Sequence, residues 1–113
     1  MEIQYSELDN NVRMIKLNGD LDISGVSDIE IKFAGYCAGD NSRILVDLSG
    51  VGFLASIGIR MFILTAKSVV NRGGIMALLN PTAEVKNILE ITGIPAVIPV
   101  YENFESAQTV VLS

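Results

Sequence analysis

The sequence predicts a single α/β domain over residues 1–113, with a mixed, mostly parallel sheet and helices packed against it. Three observations carry that expectation. Short uninterrupted apolar runs, Ile44-Leu45-Val46 and Ile75 to Leu79, read as strands buried on both faces, as parallel strands are. Segments with apolar residues at helical spacing alternate with them, the pattern of successive βαβ crossovers. A length of 113 residues, 50% of them hydrophobic, also suffices for one core without metal or disulfide staples.

The chain opens on a hairpin. Ile3, Tyr5 and Leu8 precede the turn residues Asp9-Asn10-Asn11, and Val12, Met14, Ile15 and Leu17 continue to Asn18-Gly19. Ser24 reads as the N-cap of a first helix, with Val26, Ile29, Phe33 and Cys37 on one stripe and Gly39-Asp40-Asn41-Ser42 as its end. The strand at Ile44 to Val46 closes in Asp47-Leu48-Ser49-Gly50. Ser56 to Arg72 forms a long helix stopped by Gly73-Gly74. Ile57, Met61, Leu64 and Ala66 lie on one side of it and Ile59, Phe62 and Ile63 on the other, which leaves little polar face in its first turns. After the strand ending at Leu79, Asn80-Pro81 reads as N-cap and first helical residue of a helix through Val85, Ile88 and Leu89 to Gly93. Val97, Ile98 and Val100 give a last strand, and Phe104, Ala107, Val110 and Val111 a closing amphipathic helix. The order is ββαβαβαβα, without repeat or linker.

Composition excludes several kinds of partner and chemistry. Eight basic residues against thirteen acidic ones give a net charge of −5, and the Lys and Arg are scattered singly. Neither nucleic acid nor an anionic membrane surface is an expected partner. No stretch approaches the ~20 apolar residues of a membrane span, and the acidic start, Met1 to Asn11, lacks the basic and apolar regions of a signal peptide. A soluble, cytoplasmic protein is expected. The absence of His and the single Cys exclude His-dependent triads and most zinc sites. Cys37, on the apolar stripe of the first helix, reads as a buried, inert thiol. Only a Lys or a carboxylate is available to activate Ser24 or Ser56, so neither enzymatic catalysis nor a cofactor is expected.

Two patterns invite ligand chemistry. Gly50-Val51-Gly52-Phe53-Leu54-Ala55 matches G-x-G-x-x-A formally, after a strand and before a helix. The acidic residue that should follow about twenty positions on is missing, the next strand ending in Leu78-Leu79-Asn80, and Phe53 and Leu54 crowd the place of a pyrophosphate. A plain turn is the better reading. Asp20, Asp22 and Asp47, all at strand ends, form a carboxylate set of the kind that holds Mg²⁺ in receiver domains. Receivers, however, begin with a βαβ unit rather than a hairpin, and Val97-Ile98-Pro99 stands where one would need a lysine. These aspartates fit caps and turns better.

Ser56 remains. As a residue of the helix start it is a plain cap worth about 1 kcal/mol. Its surroundings suggest more, because Ile57, Ile59, Met61, Phe62 and Ile63 exceed what one core-facing stripe requires, and an exposed patch for another protein follows. A hydroxyl beside such a patch makes a switch, since phosphorylation adds about −1.5 to −2 charges.

Here the residues carry a family likeness. The run from Val46 to Ile59, Val46-Asp47-Leu48-Ser49-Gly50-Val51-Gly52-Phe53-Leu54-Ala55-Ser56-Ile57-Gly58-Ile59, resembles the D-L-S-x-V-x-F-[IL]-D-S-S-G-L signature of STAS domains, the anti-sigma factor antagonist group. Gly19-Asp20-Leu21-Asp22 is similar to that family's G-E-L-D, Arg72-Gly73-Gly74 to its R-G-G turn, and Ile91-Thr92-Gly93-Ile94 to its S-G-L segment. The resemblance implies a non-enzymatic switch. Its partners would be an anti-sigma factor that is also a serine kinase and a serine phosphatase that resets the cycle. It also implies that Ser56 is the phospho-acceptor and that Asp22 is the loop acid near it. Taken with the apolar excess around Ser56, the expected partner-binding surface is Asp22, Ser24, Ala55, Ser56, Ile57, Ile59, Arg60 and Ile63. Ala55 replaces the family's usual Asp and Ile57 its second Ser. Arg60, four positions after Ser56 on the same helix face, is placed either to pair with a phosphate or to contact a partner. The alternative is a STAS scaffold or accessory subunit, stressosome-like or associated with lipid transport, in which Ser56 is only a cap. A sheet edge or the apolar helix would serve self-association or a partner equally well.

Overall fold

The computed structural model describes the backbone of residues 1–111 and the side chains of residues 1–107. The side chains of Val110 and Val111, expected on the stripe of the last helix, lie outside those described. The sheet grows outward from strand β3 (Arg43–Leu54), whose Ile44, Leu45, Val46 and Leu48 are fully buried. Each such side chain contributes roughly 1.5–3 kcal/mol relative to exposure, so this strand fixes the middle of the molecule. β2 (Val12–Leu21) and β4 (Ile75–Leu79) flank it in parallel. β1 (Glu2–Glu7) pairs with β2 in antiparallel register, Tyr5 opposite Ile15, which is the expected hairpin. β5 (Val100–Tyr101) lies parallel beside β4, and the strand order is β1-β2-β3-β4-β5.

Strands that follow chain order, joined by crossovers of one hand, place their connecting helices on one face. Accordingly α1 (Ile23–Tyr36), α2 (Ser56–Asn71) and α3 (Ala83–Ile91) share one core with Ile15, Leu17, Val46 and Leu78. The opposite face is smaller: Val12, Leu45, Ala77 and Leu79 pack with Phe104 and Ala107 of α4 (Phe104–Val111). The α/β class, the mixed sheet and the order of elements agree with the sequence.

Four local expectations are corrected. The N-cap of α1 is Asp22, whose Oδ1 accepts the Gly25 amide at 2.8 Å; Ser24 lies inside the helix, exposed. β3 runs on through Asp47-Leu48-Ser49-Gly50 and the glycine pair to Leu54, because β2 also continues to Leu21 and the parallel ladder persists across two register shifts. The Gly-x-Gly pattern is therefore strand rather than turn. Asn80 has a left-handed φ of 53° where an N-cap typically takes extended backbone, and its amide extends the β4–β5 ladder to the Tyr101 carbonyl; Thr82 caps α3 instead. Val97 and Ile98 precede the last strand. A 3₁₀ turn over Ile94–Ala96, entered through Gly93 at φ 76°, buries Ile98 and delays β5 to Val100.

Candidate functional site

Two strand ends and two helix starts meet at one end of the sheet. Leu21 closes β2 and Leu54 closes β3, paired in the last rung of their ladder. One residue on, the Ala55 amide donates to the Leu21 carbonyl at 3.0 Å. Asp22 and Ser56, each next in its chain, thus stand on either side of one backbone bond. Two glycines make the approach possible. A Cβ on Gly25 would fall 1.8 Å from the Asp20 carbonyl oxygen, and one on Gly58 would fall 2.8 Å from Leu54 Cδ1 and 3.0 Å from Leu21 Cβ. Glycine costs about 1 kcal/mol inside a helix, and here it lets both first turns rest on the strand ends.

Ser56 is the first helical residue of α2, exposed, and follows an N-cap, Ala55, that has no side chain to offer. The first turn of α2 contains no acidic residue. Its leading amides are the orphan donors of any helix start, and the local field is positive. Beyond this point α1 and α2 run side by side. Phe33 and Phe62, both fully buried, join them from within, edge to face at 5.9 Å between ring centroids.

On the outer side the two helices leave an open groove of about 930 Å³. Ser56, Ile57, Arg60, Met61, Leu64 and Thr65 line it from α2, and Val26, Glu30, Ile31 and Ala34 from α1. Most of this lining is apolar. Ile31 is 84% exposed, Leu64 55% and Ile57 37%, values unusual for such side chains when they cluster. Arg60 and Glu30 face the same groove and make neither an ion pair nor a hydrogen bond with any described residue.

Of the residues singled out from sequence, Ser56, Ile57, Arg60 and Met61 come together on this groove. Ile59 and Ile63 are half-buried against the core and do not line it, and Phe62 belongs wholly to the core. Asp22 and Ala55 hold the helix starts, and Ser24 lies exposed in the first turn of α1. Ile31 and Leu64 were not anticipated as surface. The signal for Ile31 was its place off the stripe set by Val26, Ile29 and Phe33; Leu64 could not be told from a core residue without knowing which side of α2 meets α1.

The other candidate chemistries find different uses for their residues. Asp22 caps α1, and Asp47 Oδ1 accepts the Ser49 amide at 2.9 Å, as cap and turn aspartates do. Among the described residues no three acidic, Cys or His side chains group around one point. Cys37 is buried, and burial pushes its thiol up to about 12. Among the described residues no helix is long and apolar enough to cross a membrane.

Comparison with known proteins bears on the family and the fold. A family model described as STAS domain matches residues 4–107. The chain is 25% identical over 91 residues to BtrV of Bordetella bronchiseptica, which is named as an anti-sigma factor antagonist; the match covers 80% of this chain and 78% of that protein. Its fold is similar to an anti-sigma-factor antagonist (STAS) domain protein from Planctomyces limnophilus, with a TM-score of 0.86, 23% identity and 98% of each chain covered. It is also similar to the Bacillus cell fate determinant SpoIIAA. The unphosphorylated form of SpoIIAA gives a TM-score of 0.75 with 20% identity over 96% of each chain. The phosphorylated form gives 0.68 with 20% identity, covering 96% of this chain and 99% of that one.

Proposed function

The chain belongs to the STAS domain family, and on that premise we propose that it is an anti-sigma factor antagonist switched at Ser56. Unphosphorylated, it docks the surface around Ser56 on an anti-sigma factor with serine kinase activity and so frees a sigma factor for transcription. The kinase moves the terminal phosphoryl group of ATP to Ser56 Oγ; ADP leaves and the hydroxyl proton passes to a base of the kinase. A serine phosphatase hydrolyses the ester to inorganic phosphate and restores Ser56. The protein itself presents a surface and performs no chemistry.

The placement of Ser56 carries the reading: exposed, first in its helix, and on the rim of an apolar groove. Relatives support it, since BtrV is named as an antagonist and SpoIIAA has a phosphorylated form. Physical chemistry then sets how the switch acts. A phosphate at a helix start meets unpaired amides and the positive end of the dipole, an interaction worth about 0.3–1 kcal/mol, so it stabilises the fold. Release must therefore arise at the interface, where the added charge is partly desolvated against the partner. A hundredfold loss of affinity needs only about 2.7 kcal/mol.

In binding titrations with the anti-sigma kinase, Ser56→Asp should weaken affinity about hundredfold. Ser56→Ala should bind as wild type and gain no mass on incubation with kinase and ATP. Undiminished binding by Ser56→Asp, or phosphate on another residue, would sink the switch. A wild-type chain that gains no phosphate from any host kinase yet stays in a stable complex would indicate the scaffold role instead.

A further inference from the structure

We propose that the α1–α2 groove seats an amphipathic helix of the partner, held by an acidic side chain against Arg60, and that phosphate on Ser56 expels this helix by claiming Arg60. The inference rests on the switch reading and says which part of the surface does the work.

The groove's dimensions suit a helix. Its lining spans Val26 to Ala34 on one wall and Ser56 to Thr65 on the other, about 13–15 Å at 1.5 Å per residue, or roughly two and a half turns. Two parallel walls with an apolar floor accept a third helix by its i, i+3, i+4 and i+7 anchors. Ile31 on one wall and Leu64 on the other, both exposed, are the natural contacts for such anchors. A small amphiphile fits less well, since ligand sites bury 70–90% of their occupant and this groove is open along its length. A second copy of the chain is disfavoured by the net charge of −5 on each.

Charge fixes the orientation. Arg60 has no partner among the described residues, and Glu30 stands unpaired on the facing wall. A helix with an acidic residue toward α2 and a basic one toward α1 would satisfy both. Ser56 and Arg60 are four residues apart on one helix face, about 5–6 Å between Cβ atoms. A phosphate on Ser56 is thus within reach of the guanidinium, whose planar fork suits it. Once taken, Arg60 is lost to the partner's carboxylate, which now faces a net negative groove rim.

The test measures affinity for whichever host anti-sigma kinase the wild-type chain binds. Ile31→Asp, Leu64→Asp and Arg60→Glu should each weaken binding at least tenfold, about 1.4 kcal/mol. Val70→Asp, equally exposed on α2 but outside the groove, should stay within twofold. All of these positions are exposed, and thermal melts confirm that the variants fold. Groove variants that bind as wild type overturn the inference while leaving the switch intact; a wild-type chain that binds no such kinase overturns both. A dimer that Leu64→Asp dissolves would also overturn it. The Arg60 step has a readout of its own. With phosphoserine at position 56, a ³¹P titration should give a second ionisation below the usual value of about 6, and Arg60→Gln should raise it. Equal values in the two proteins would refute the capture of Arg60.

Discussion

Asp22 holds the first turn of α1 through one hydrogen bond, to the Gly25 amide. Such a cap is typically worth about 1 kcal/mol. Asp22→Ala should lower the unfolding free energy by that amount in urea titrations, whereas Ser24→Ala, altering an exposed side chain with no cap role, should change it by less than about 0.5 kcal/mol. Reversal of those two effects would assign the cap to Ser24. Cys37 supplies a pH-dependent counterpart. Burial raises its thiol from 9.0 to about 12, so between those values the unfolded chain loses a proton that the folded chain keeps. Its contribution to stability is therefore fully present below pH 9 and is lost as pH rises toward 12. Cys37→Ala should flatten that alkaline decline in urea midpoints measured across the range, and the folded wild-type thiol should resist alkylation at pH 8.

At the C-terminal end of α1 the last carbonyls lack intrahelical donors and the last turn carries no basic residue. Two arginines from elsewhere supply the donors. Arg72, just past α2, donates from Nε to the Gly39 carbonyl and from Nη2 to that of Cys37, both at 2.9 Å. Arg13 of β2 donates to the carbonyls of Tyr36, at 2.9 Å, and Ala38, at 2.6 Å. The end of one groove wall is thereby tied to the end of the other. Arg72→Ala should cost about 2 kcal/mol, as bonds to charged donors do, and Arg72→Lys should recover less than half, since an ammonium cannot span two carbonyls as the fork does. Full recovery by Lys in denaturant melts would show that charge alone matters.

At the scale of the whole molecule, chain-order strands with three crossover helices on one face bring two helix starts together at the ends of β2 and β3. Apolar runs and helical stripes made that plan legible. Ile44 to Val46 can be buried on both faces only in the middle of a covered sheet, and Phe33, Phe62 and Leu89 mark the inner sides of their helices. What periodicity leaves undetermined is the position of an end. Asp22 and Ser24, or Asn80 and Thr82, are all good capping types two residues apart, and backbone φ and ψ choose between them. Ser49-Gly50-Val51-Gly52 has turn composition, yet the ladder with β2 holds it extended, a long-range pairing that no local window contains. The candidate site was legible at Ser56 and Arg60 through the family resemblance and the i, i+4 spacing. Its second wall was not, because Glu30, Ile31 and Ala34 become a surface only when α1 lies beside α2.

On the proposed switch, one added phosphate at Ser56 governs partner binding. The most direct measurement takes one preparation, determines its affinity for the anti-sigma kinase, phosphorylates it to completion, and determines the affinity again. Intact mass and fragmentation establish the site. The switch requires a single phosphate on Ser56, an unchanged or slightly raised melting temperature, and an affinity about a hundredfold weaker. Equal affinity before and after phosphorylation of Ser56 would contradict it.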